Sequence, residues 1–128
     1  MIKSLKGKKI LVVDDEELLR EILMEELSYY GADVIGAENG TVAFDLIKRQ
    51  KFDAIITDVR MPGGNGIILI KNINNYFSED KPKVFICSGY NDITLAEIGL
   101  LGISYTFNKP FDRENFIQVI SKSLDASI

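Results

Sequence analysis

The chain is 128 residues long, with 46% hydrophobic and 27% charged residues and a formal net charge of −4. That profile belongs to one globular domain large enough to bury a core, and its acidic balance argues against a nucleic-acid binder, which carries a basic field. A single cysteine, Cys87, excludes an intramolecular disulfide framework.

The opening MIKSLKGKK is locally basic and reads as a solvated arm over residues 1–8. The first strand is Lys9–Val13, a β-branched run that stops abruptly at Asp14, Asp15, Glu16 and Glu17. This run is too short for a signal-peptide core, and no later apolar run approaches the length of a membrane span. The expectation is a cytoplasmic chain with no membrane insertion and no direct nucleic-acid contact. EELLREILMEELSYYG then places Leu18, Leu19, Ile22, Leu23, Leu27 and Tyr30 on one helical stripe and stops at Gly31. The second strand, Asp33–Ala37, leads to the helix NGTVAFDLIKRQ, with Asn39 as its N-cap.

Ala54–Thr57 is the third strand, followed by the glycine-rich turn RMPGGNG and the helix GIILIKNINNYF. The fourth strand, Lys83–Cys87, carries Cys87 as a small buried apolar residue. A fourth helix, NDITLAEIGLLG, ends at a glycine; Ile103–Phe107 is the fifth strand, and DRENFIQVISKSL is a last helix capped by Asp112. Four of the five strands are too continuously apolar to have a wet face, so the sheet is parallel and covered on both sides. Five strand–helix alternations make a (βα)5 doubly wound α/β fold. With no repeat, linker or low-complexity segment, residues 1–128 read as one domain without an attached output domain.

Five polar residues stand at predicted strand ends: Asp14 and Asp15 after the first, Asp58 after the third, Ser88 after the fourth and Lys109 after the fifth. In an open parallel sheet these ends share one edge, where ligands bind beside the topological switch point. Singly, each has an ordinary explanation. Asp14 or Asp15 serves as a helix N-cap, Asp58 and Ser88 as turn residues, and Lys109 as a solvated lysine before Pro110. Together they require four coincidences.

Three carboxylates on one rim also repel, by about 4 kcal/mol per pair at roughly 4 Å and an effective dielectric near 20. Either one takes up a proton or a divalent cation sits among them. The chain has no histidine, and oxygen donors alone suit Mg²⁺. A fixed positive charge on Lys109, a hydroxyl donor on Ser88 and a carboxylate nucleophile on Asp58 complete a set suited to phosphoryl transfer.

Over essentially its whole length the chain resembles the response-regulator receiver domain of two-component signalling, in the CheY-like superfamily. LVVDDE, IITDVRMPGGNG, FICSGY and NKPFD carry the resemblance, in that order. It implies a flavodoxin-like strand order 2-1-3-4-5, with Asp58 as phosphoacceptor. It implies Mg²⁺ ligated by Asp15, Asp58 and the backbone carbonyl of Arg60, with Asp14 acting through water. Lys109 and Ser88 would bind the phosphoryl oxygens, Gly89 would keep the pocket mouth open, and a cis Lys109–Pro110 bond would aim the lysine inward.

The wording DVRMPG…KPFD looks most like receivers of the NtrC type. One departure falls on the relay rather than the site. Thr106 occupies the position, three before the lysine, where the family usually has an aromatic, and the interval from Ser88 to Lys109 looks one residue short.

The expected function is a phosphorylation switch that accepts a phosphoryl group from the phosphohistidine of a sensor histidine kinase onto Asp58. It would signal by protein contact, to an unknown downstream protein, through the face of the fourth helix, fifth strand and fifth helix. It would be no enzyme beyond its own phosphorylation and dephosphorylation. The alternative is a phosphorelay intermediate that passes the group to a histidine phosphotransfer protein. A haloacid-dehalogenase-type phosphatase would need D-x-D after the first strand, which VVDDEE lacks. A flavodoxin-like FMN carrier would need a Ser/Thr/Gly loop there, and DDEE would repel the phosphate.

Overall fold

Continuous apolar residues leave the three inner strands no wet face, and the sheet, its two outer strands partly exposed, is the middle layer of a three-layer structure. The computed structural model describes residues 4–59, 61, 65–88, 99–108 and 112–125. Its elements are β1 (Lys9–Val13), α1 (Glu17–Tyr29), β2 (Asp33–Ala37), α2 (Gly40–Arg49) and β3 (Ala54–Asp58). They continue with α3 (Gly66–Tyr76), β4 (Lys83–Ser88), β5 (Tyr105–Asn108) and a C-terminal helix (Arg113–Leu124). The strands form one sheet in the order β2-β1-β3-β4-β5, with every neighbouring pair parallel. The expected doubly wound fold and strand order are therefore present.

Alternate residues of each strand feed opposite layers, as a period of two requires. On one side Ile10, Val12, Ile56, Phe85, Cys87 and Phe107 pack with Leu23 and Leu27 of α1 and Phe116, Ile117 and Ile120 of the C-terminal helix. On the other, Leu11, Val13, Ile55, Val84 and Ile86 pack with Ala43 and Ile47 of α2 and Leu69, Ile70 and Ile73 of α3. The rings of Tyr105 and Phe107 lie 4.7 Å apart, and Phe107 meets Phe116 edge-on at 5.0 Å.

The helix starts follow side-chain capping chemistry. Asn39 Oδ1 accepts from Val42 N at 2.9 Å, Asn65 Oδ1 from Ile68 N at 2.9 Å, and Asp112 Oδ1 from Glu114 N at 3.1 Å. α1 is different: Glu16 stands at its N-cap without a side-chain hydrogen bond. Neither aspartate of the acidic pair takes that position.

Several boundaries differ from the sequence expectation. β3 and β4 each run one residue further, into Asp58 and Ser88, and β5 starts at Tyr105 rather than Ile103. Most of the fourth predicted helix lies outside the described residues; residues 99–101 are helical and Gly102 ends them at φ +69°. Leu18 was expected in the buried stripe of α1 but is 72% exposed. Leu5, expected in a solvated arm, is 1% exposed and joins the core on the α1 side, its N–H donating to Tyr30 O at 2.7 Å. Gly31, at φ +103°, admits this segment, because a Cβ there would sit 3.1 Å from Lys6 N. No helix among the described residues is long and apolar enough to cross a membrane.

Truncating the fully buried Phe116 to alanine is expected to cost about 3–5 kcal/mol. Leu18→Ala, on an exposed side chain, should change stability by no more than about 0.5 kcal/mol. Urea denaturation of both variants checks the contrast.

Candidate functional site

β1 and β3 are neighbours, and Val13 pairs with Thr57. The residue just after β1, Asp14, and the last on β3, Asp58, therefore emerge side by side at the point where the winding order reverses. One carboxylate oxygen from each of Asp14, Asp15 and Asp58 lies within 4.8 Å of the other two. Asp14 is 2% exposed and Asp58 8%, whereas Asp15 faces solvent.

Each buried acid is held by its backbone as well as its side chain. Asp14 N donates to Ala37 O of β2 at 3.1 Å, Asp14 O accepts from Arg20 Nη1 at 2.7 Å, and Asp14 Oδ1 accepts from Glu16 N at 2.9 Å. Asp58 Oδ1 accepts from Val59 N at 2.7 Å, and Asp58 O accepts from the buried Thr57 hydroxyl at 2.9 Å. These bonds fix the carboxylates before any ligand arrives.

The loop after Asp58 closes tightly on α3. Gly66 N donates to Val59 O at 2.8 Å, and a Cβ on Gly66 would lie 2.1 Å from Asp58 O. Only glycine allows the helix start to press against the acid's own carbonyl. The sequence offered a signal for this: a glycine at the first position of a strongly apolar helix, where a better helix former is usual.

Ser88 is the last residue of β4, one past Cys87, which pairs with Asp58. Its backbone pairs in turn with Asn108, the last residue of β5. The expectations for Lys109, Pro110, Gly89 and the carbonyl of Arg60 lie outside the described residues. Thr106 pairs with Ile86, and its buried hydroxyl has no hydrogen-bond partner among the described residues. Tyr105, on the opposite face of β5, is exposed and packs against Phe107.

The donor set is oxygen only, in a chain with no histidine. Three convergent carboxylates suit a hard divalent cation such as Mg²⁺, which takes few protein ligands and keeps several waters.

The strand order, with an acidic trio at its switch point, defines a CheY-like α/β fold. The response regulator receiver domain family matches residues 10–121. The transcriptional regulatory protein CrdR of Helicobacter pylori is 35% identical over 105 residues, 82% of this chain but 49% of that protein, so the chain spans about half its length. Sporulation initiation phosphotransferase F of Bacillus subtilis is 29% identical over 119 residues, covering 92% of this chain and 94% of that one. The solved Francisella response regulator 1452 receiver domain superposes with a TM-score of 0.84 at 25% identity, over 95% of this chain and all of that one. The chain belongs to the response regulator receiver domain family. Members of this class are phosphorylation-dependent signalling switches of two-component systems.

Gly66→Ala should destabilise the protein by about 1–3 kcal/mol, because its Cβ meets backbone rather than a yielding side chain. Gly99→Ala, with nothing among the described residues within 4 Å of the new Cβ, serves as the control. Urea denaturation ranks the two, and the Val59 amide shift should move only in Gly66→Ala.

Proposed function

We propose that Asp58 is the phosphoacceptor of this receiver and that the donor is the phosphohistidine of a sensor histidine kinase. The observation that supports it best is the convergence of Asp14, Asp15 and Asp58 oxygens within 4.8 Å at the switch point. A carboxylate oxygen of Asp58 attacks phosphorus and forms an acyl phosphate. The P–N bond breaks, and its electron pair returns to the imidazole nitrogen of the donor. Catalysis of such a transfer is mainly positioning and charge stabilisation, which the bonds to Val59 N and Thr57 Oγ1 begin to provide.

Asp15, Asp58 and the carbonyl of Arg60 would hold Mg²⁺, with Asp14 acting through water. When bound, the cation offsets the negative charge of acids and phosphoryl group together. Lys109 and Ser88 bind the transferred oxygens. The chain catalyses only its own phosphorylation and dephosphorylation, in the cytoplasm. It passes the signal by protein contact through the face of the fourth predicted helix, β5 and the C-terminal helix. The near full-length likeness to sporulation initiation phosphotransferase F favours a second reading, a phosphorelay intermediate that hands the group to a histidine phosphotransfer protein.

Acetyl phosphate with Mg²⁺ should add one phosphoryl group by intact mass, and Asp58→Ala should add none. Phosphorylation of Asp58→Ala at an unchanged rate would refute the assignment.

Asp14→Ala should weaken Mg²⁺ binding about 10–100-fold, the usual cost of losing an outer partner. Asp15→Ala should weaken it further, because it removes a direct ligand. Titration followed by amide NMR ranks them, and equal affinities would mean the direct ligand is misassigned.

A further inference from the structure

Arg20 lies in the first turn of α1, its N–H donating to Glu16 O at 2.9 Å. Helical side chains lean toward the N-terminus, and this one reaches back over the sheet to give Asp14 O a 2.7 Å hydrogen bond from Nη1. Its stem crosses β2 at Gly36. A Cβ on Gly36 would stand 3.2 Å from Arg20 Cδ, 3.4 Å from Arg20 Nε and 2.8 Å from Met24 Sδ. Glycine weakens a strand interior and marks a site of close approach. Here the close approach is the arginine stem together with Met24.

The carbonyl that Arg20 holds belongs to the peptide joining Asp14 to Asp15. That unit is planar, so fixing its oxygen also fixes the direction of the Asp15 N–H and of the chain leaving toward the Asp15 side chain. Asp14 N is tied to Ala37 O on the other side. Asp15 is the exposed member of the acidic trio, so the orientation of this peptide is what holds it toward the other two.

We propose that Arg20 is a positioning residue, seated by the missing side chain at Gly36, that fixes the Asp14–Asp15 peptide and so aims Asp15 into the acidic site. This role rests on reading the trio as a divalent-cation site. It is opposite in sign to simple electrostatics, since a cationic side chain beside three acids would by charge alone weaken cation binding.

The test titrates Arg20→Ala, Arg20→Lys, Gly36→Val and wild type with Mg²⁺ by amide NMR, after urea denaturation has confirmed folding. Arg20→Ala should bind about 10-fold more weakly. Gly36→Val keeps the guanidinium charge but displaces it, and should weaken binding in the same direction. Arg20→Lys keeps a cationic donor on a similar stem and should recover part of the affinity. Before any Mg²⁺ is added, the Asp15 amide shift should already move in Arg20→Ala and Gly36→Val. Should Gly36→Val not fold, Gly36→Ala places the same Cβ against the same atoms.

Unchanged or tighter binding in Arg20→Ala would overturn the proposal, as would a Gly36 variant indistinguishable from wild type. Wild type that binds no Mg²⁺ would sink the metal reading instead. The Asp15 amide shift would then decide, on its own, whether Arg20 anchors the peptide.

Discussion

Like charge crowded at the ends of two adjacent parallel strands is the constraint around which this molecule is arranged. Asp14 and Asp58 are almost fully buried, and their register is set by strands that cannot slip without exposing one apolar face. Left alone, such neighbours would push the rim apart. The structure holds them instead through hydrogen bonds: Asp14 N donates to Ala37 O, the Glu16 and Val59 N–H groups donate to the two carboxylates, and the Arg20 and Thr57 side chains donate to the two backbone carbonyls. Local tension concentrated where a sheet meets its ligand is what a functional site looks like in an otherwise consistent sequence.

The sheet and the acidic rim were legible because their signals are local. β-branched runs end at charge within a single residue, as at Val13 and Asp14, so the strand and its site are visible together. What escaped depends on neighbours distant in sequence. Leu18 fits the helical period, but in the first turn of α1 it faces solvent, away from the core that takes Leu23 and Leu27. Leu5 looked solvated among lysines, yet it is drawn in by a hydrogen bond to Tyr30 and by the conformation available at Gly31. The spatial roles of Gly36 and Gly66 are set by Arg20 and by the Asp58 carbonyl, which no periodicity announces.

Thr106 is where sequence and structure point to the same irregularity. It departs from the family's usual aromatic, and its buried hydroxyl has no partner among the described residues. An unsatisfied buried hydroxyl costs on the order of 1–3 kcal/mol. The neighbouring aromatic residues face the other way: Tyr105 and Phe107 belong to the side covered by the C-terminal helix, so alternation along β5 keeps them from the space Thr106 occupies.

The lone cysteine has a consequence of a different kind. Cys87 lies opposite Asp58 in the centre of the sheet and is closed to solvent. A thiol-reactive dye can reach it only in molecules whose β4 has momentarily parted from its covering layers. In a chain without tryptophan, that slow alkylation is a built-in stopwatch. Its rate counts how often the middle of the sheet breathes, and the cation or acyl phosphate proposed for the rim would register as a change in the tick.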